Sequence, residues 1–168
     1  MLILGLDPGS RHTGFGFVES RGSRVTLLDQ GAFSPPAKAP LPERLAFLGE
    51  KLAEILDRHP PDVVALESPF HGINSRSLIV LAQARGALIA ELGKRQLEMF
   101  EFSPSEVKVA VTGNGRAGKE QVARMVSILL GTSGRNWSSD VSDALAIAIC
   151  CSRRYRMDRV VAFHKSRK

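Results

Sequence analysis

Two short apolar runs in this chain stop abruptly at an acid. Leu2-Ile3-Leu4-Gly5-Leu6 ends in Asp7, just before Pro8-Gly9, and Val63-Val64-Ala65-Leu66 ends in Glu67. Each run has the length of a buried strand, and the first is closed by turn residues. Where parallel strands lie side by side, acids at equivalent ends meet at one edge of the sheet. Asp140 and Asp143 open a third such segment, a nearly all-apolar, alanine-rich stretch to Cys151 that reads as a helix. Positions three apart on a helix share a face, so the two acids point the same way.

The other segments fill in an architecture around these acids. Gly14–Val18 and Val25–Leu28 read as two further strands joined through Ser20–Ser23, which makes an antiparallel meander with the first. Ser34–Pro40 is a proline-rich loop. Leu41, Leu45, Leu48, Leu52, Ile55 and Leu56 then recur at helical steps, with Pro42 in the first turn and His59-Pro60-Pro61 as the stop. After Glu67 a polar loop from Ser68 to Ser77 leads to a second helix through Leu78, Leu81, Leu88, Ile89 and Leu92. Glu98–Phe102 is a fifth strand, and Val122, Met125, Val126, Leu129 and Leu130 mark a third helix.

The resulting order, βββαβαβαα, predicts an α/β fold. Its five-stranded mixed sheet has three antiparallel and then two parallel strands, with helices on both faces. One domain is expected over 1–155, followed by a basic, mobile tail over 156–168.

Composition narrows the partners. The chain has 168 residues, a formal charge of +6 and 43% hydrophobic residues, enough for a core without disulfides or a structural metal. Residues 153–168 hold seven Lys/Arg against one acid, Asp158, which points towards a polyanion or serves solubility alone. Cys150 and Cys151 are adjacent in an apolar segment and read as inert, reduced thiols of a cytoplasmic protein. No apolar run approaches the roughly 18 residues that span a bilayer.

Four converging carboxylates impose their own chemistry. Two of them about 4 Å apart repel by roughly 4 kcal/mol at an effective dielectric near 20, so the group must take up protons or cations. All-oxygen ligands select Mg2+ or Mn2+. Two such ions clamp an in-line phosphoryl displacement, which makes phosphodiester hydrolysis the expected reaction. Taken singly, Asp7 also suits a turn and Asp140 a helix start.

The segments that carry the acids resemble a known family. Gly5-Leu6-Asp7-Pro8-Gly9-Ser10-Arg11-His12-Thr13-Gly14-Phe15-Gly16 is similar to the opening of the RuvC Holliday-junction resolvases, and Ala65-Leu66-Glu67-Ser68-Pro69-Phe70 resembles their second acidic motif. Leu81–Gly86 looks like their central helix, and Asp140–Ala148 like their last acidic helix. The resemblance implies an RNase H-like fold and a Mg2+-dependent homodimer that nicks opposite strands of a four-way junction in recombination and repair. It also implies a partnership with the RuvA–RuvB branch-migration complex. Asp7, Glu67, Asp140 and Asp143 fall on the family's catalytic, metal-holding positions. Some members carry His where Asp140 stands, so this chain keeps a purely carboxylate site.

DNA contacts are expected at four further residues. Phe70, three residues after Glu67, suits stacking on bases opened at the crossover; ordinary core packing is its other reading. Lys108 and Lys119 match basic family positions, and Lys119 follows the Gly113–Gly118 loop at a helix start suited to a phosphate. Arg76 faces the same polyanion or plain solvent. The resemblance places the small residues Ala82, Ala84, Gly86 and Ala87 at a dimer interface; packing within the chain is their other reading.

Two other classes compete. A sugar-kinase or actin-like ATPase also has a phosphate loop after a strand, but it needs two such domains and this chain is too short. A junction-binding module without activity would not need all four acids.

Overall fold

The strand runs meet the requirement of period-2 alternation. In β1 (Leu2–Asp7) the side chains of Leu4 and Leu6 enter one core, while Ile3 enters the other. β4 (Val63–Glu67) repeats the pattern, with Val64 and Leu66 on the first side and Val63 and Ala65 on the second. The sheet is thus buried on both faces, as expected for strands with continuous apolar sequence. The computed structural model describes residues 1–9, 11–68, 75–133 and 135–165, without the side chains of 75, 76 and 157–165.

β2 (Thr13–Arg21) and β3 (Arg24–Phe33) complete the antiparallel meander, and β5 (Glu98–Phe102) pairs parallel with β4. The order across the five-stranded sheet is β3-β2-β1-β4-β5, with β1 and β4 parallel at its centre. α1 (Leu41–Arg58) and α2 (Ser75–Lys94) supply Leu48, Leu52, Leu88 and Leu92 to one core. α4 (Lys119–Leu129) and α5 (Ser139–Lys165) cover the opposite face with Val122, Val126, Leu145 and Ile149.

Two expectations need correction. A short helix, α3 (Pro104–Thr112), follows β5 and was absent from the predicted order. Its signal is local: Ser103 accepts a hydrogen bond from the Glu106 N–H, Glu106 returns to the Ser103 N–H, and Pro104 occupies the first turn. The last helix also continues well past Cys151, to Lys165. Nothing after Cys151 breaks a helix, and Arg and Met favour it, so the backbone stays helical beyond that residue. The first part of the basic segment is therefore helical; residues 166–168 lie outside the described residues.

Cys150 and Cys151 are free and buried, and burial pushes both thiols up to about 12, so they stay protonated. No described helix is long and apolar enough to cross a membrane.

Candidate active site

Strand register brings the first two acids together. β1 and β4 run in parallel with Leu6 beside Leu66, so Asp7 and Glu67 are the next residues at neighbouring strand ends. Alternation turns both away from the Leu6 and Leu66 side, towards α5. The turn after Asp7 is tied down by Thr13, a fully buried residue whose hydroxyl donates to the Gly9 carbonyl at 2.9 Å.

Asp140 and Asp143 arrive through the docking of α5, and glycines decide how closely it docks. A Cβ on Gly5 would lie 2.1 Å from the Ala144 carbonyl oxygen, and one on Gly14 only 2.0 Å from that of Asp140. Gly16 likewise leaves room for Leu145. The helix answers with Ala144 and Ala148, both fully buried. The first turn of α5 therefore lies directly on the strands that carry Asp7. The Ser138 hydroxyl accepts from the Val141 N–H at 3.4 Å and meets one of that turn's free donors.

The acids feel one another. Burial, then Asp143, Glu67 and Asp140, push Asp7 up to about 7, against the opposing pull of Lys119. Glu67 is raised by burial and by Asp143, and Asp143 by burial and by Asp140. Lys108 and Lys119 oppose both of these shifts. Lys119 Nζ stands 3.5 Å from Asp143 Oδ2, and both lysines line a cavity of about 190 Å³ with Glu67 and Asp143. Two residues expected to contact DNA are thus brought to the acids.

Among the described residues, no group of three or more His, Cys, Asp or Glu side chains is already arranged to hold an ion. Like charges do not close on one another unaided, and Lys119 draws Asp143 towards itself. The donor set is nevertheless all oxygen, and its crowding is what a hard cation relieves.

One site residue escaped the sequence reading. Arg85, only 8% exposed, donates from Nη1 to the Glu67 carbonyl at 2.7 Å, and its Nη2 forms an ion pair with Glu101 Oε1 at 2.6 Å without hydrogen-bond alignment. It anchors the end of β4 from α2. An arginine among Ala84, Gly86 and Ala87 was the available signal, because an arginine within a packed helix needs a partner.

Phe70 lies outside the described residues. Arg76 sits in the first turn of α2, with its side chain outside them. Of the small-residue patch, Ala82 and Gly86 are exposed and Ala87 half-buried, but Ala84 is buried in the core and takes no part in a surface. A cavity of about 320 Å³ beside this face also reaches Asp7 and Glu67.

The sequence matches the family described as crossover junction endodeoxyribonuclease RuvC across residues 3–151. A crossover junction endodeoxyribonuclease RuvC of Trichlorobacter lovleyi is 45% identical over 157 residues, covering 94% of this chain and 88% of the relative. Among solved structures, Thermus thermophilus RuvC matches with a TM-score of 0.86 at 31% identity, covering 94% of this chain and 97% of that one. The same TM-score, 0.86, is reached at 29% identity by T. thermophilus RuvC in complex with Holliday junction substrate, covering 94% of this chain and 96% of that one.

Proposed function

The chain belongs to the RuvC family of crossover junction endodeoxyribonucleases, and on that premise we propose that Asp7, Glu67, Asp140 and Asp143 form its catalytic, metal-holding centre. The fold is the RNase H-like one expected from the sequence, and the chain is a hydrolytic nuclease that requires a divalent metal. Its substrate on this reading is the four-way DNA junction, nicked symmetrically in opposite strands by a homodimer.

The observation that carries the site is the burial of these carboxylates beside one another, which raises Asp7 furthest. Two Mg2+ ions, with Mn2+ as a substitute, would be held by these carboxylates and supply Lewis acidity for in-line displacement at phosphorus. The protein's own groups do the positioning. Arg85 holds the backbone of Glu67, which leaves that carboxylate free to ligate. Lys119 pairs with Asp143 at 3.5 Å and is 79% exposed, so it is free to turn to a phosphate once Asp143 is otherwise neutralised. The start of α4 has no side-chain cap, so its N–H groups are available to the same phosphate. Lys108 adds a second cation beside Glu67. Phe70 and Arg76 belong to the DNA-contacting set on the strength of the sequence resemblance. The exposed Ala82, Gly86 and Ile79 face of α2 suits the dimer contact, and RuvA–RuvB the wider assembly.

The direct experiment incubates purified protein with a synthetic four-way junction, with and without Mg2+, and maps the nicks. Paired nicks that need the ion are expected; nucleotide-dependent stabilisation without nicking would sink this reading. Because Asp7 titrates near 7, ion binding displaces a proton. At subsaturating Mg2+ the cutting rate should climb with pH up to about 7, by at most about tenfold per unit, and then level off. A flat profile at limiting ion would contradict the coupling. Phe70→Ala should lower cutting more than junction affinity, as stacking at an opened crossover requires; equal losses would assign Phe70 to simple binding.

A further inference from the structure

A groove of about 650 Å³ lies on the far side of α4 from the lysine-lined cavity and ends at the first turn of α5. We propose that it binds an unpaired nucleotide of the strand that crosses the acids. This inference rests on the nuclease reading above.

Along α4, Glu120, Ala123, Arg124, Ser127 and Ile128 form a single helical stripe that makes one wall. Arg135 and Trp137, in the segment before α5, make the other. Trp137 is half-buried against the core, and among the described residues no ring or cation stacks on it. Ile128 is 52% exposed on the facing wall. Among the described residues neither Arg124 nor Arg135 has an ion-pair partner, and together they outweigh Glu120. An apolar ring between unpaired guanidinium groups is the chemistry that holds one base and its phosphates. A duplex backbone would use the arginines alone and leave the ring unused.

Ser142 ties the groove to the site. It lines the groove from α5, its hydroxyl is buried, and it has no hydrogen-bond partner among the described residues. It precedes Asp143 by one residue, about 100° around the helix. A strand lying over the acids therefore needs only to pass around the first turn of α5 to place its neighbouring nucleotide beside Trp137.

Trp137 is the only tryptophan of the chain, so its fluorescence reports on the groove directly. The full-length protein, with divalent ions chelated, is titrated with an oligothymidylate of about six nucleotides and with a duplex of the same length. Saturable quenching by the single strand, and little by the duplex, is expected. Trp137→Leu should weaken oligothymidylate binding by about tenfold, read by the anisotropy of a labelled strand. Arg124→Ser combined with Arg135→Ser, both at exposed positions, should reduce the salt slope of that binding by about 1.4. No quenching, equal quenching by duplex, or an unchanged salt slope in the arginine variant would overturn the proposal. The titration involves no cutting, so its failure with junction cleavage intact condemns the groove alone. Quenching without any junction cleavage condemns the nuclease reading instead.

Discussion

Asp7→Asn should abolish junction cutting and, without divalent ions, make the protein more stable at neutral and alkaline pH. The first effect follows from the position of Asp7 between Glu67 and the two acids of α5; an amide there neither carries the charge nor replaces the ligand. The second follows from linkage. The folded protein holds the Asp7 proton up to about 7, whereas an unfolded aspartate releases it near 3.8. Between those values the folded state binds more protons, so stability falls as pH rises through the window and stays reduced above it. Below it, both states are protonated and the penalty vanishes. Asparagine removes the penalty, which after allowance for the partial exposure of the site amounts to about 1–3 kcal/mol. That is a rise of several degrees in Tm for a domain of this size. Thermal melts in a chelator at about pH 5 and pH 8 would check it, with the gain at the higher pH about two to three times that at the lower. Junction affinity should survive, since it rests on the basic residues. A loss of stability at pH 8, or a parallel loss of junction binding, would show that Asp7 holds the fold together and does not serve the ion.

Gly14→Ala should cost more in catalysis than in folding. The added methyl meets the Asp140 carbonyl oxygen 2.0 Å away, so the first turn of α5 must lift off β2. Overpacking of this kind costs about 1–3 kcal/mol, which a domain of ordinary stability survives. The same displacement moves Asp140 and Asp143 relative to Asp7 and Glu67, and misplacement by about 1 Å can cost about a hundredfold in rate. Cutting at saturating Mg2+ should fall by about that factor while the circular dichroism spectrum is retained. Gly5→Ala provides the contrast, because its methyl would strike Ala144 and Ala148 further along α5. It should lower Tm at least as much. If Gly14→Ala leaves the rate unchanged, α5 has slack at its start, and the glycine does not set the position of the acids.

The acids were legible because each sits at the end of a pattern with a local cause. An apolar run that halts at Asp7 or Glu67 announces a strand end, and alternation alone decides which face each acid takes. Asp140 and Asp143 needed only helical spacing. α3 was also legible in principle, since Ser103-Pro104-Ser105-Glu106 is a helix-start signature, but its nine residues carry little apolar periodicity. The pairing of Lys119 with Asp143, and of Arg85 with the Glu67 carbonyl, had no such local trace. Each joins elements far apart in the chain. The same holds for the groove at Trp137, where one wall is the polar stripe of a helix recognised only by its buried side.

What the sequence by itself determined is the five strands, the helices that carry an apolar stripe and the four carboxylates at element ends, since hydrophobic period and turn chemistry act over a few residues. How near those carboxylates stand, and which cations face them, was decided only in the tertiary structure. The physical reason is close packing: α5 approaches the sheet as far as Gly5, Gly14 and Gly16 allow. That distance belongs to the contact between segments and to neither segment alone.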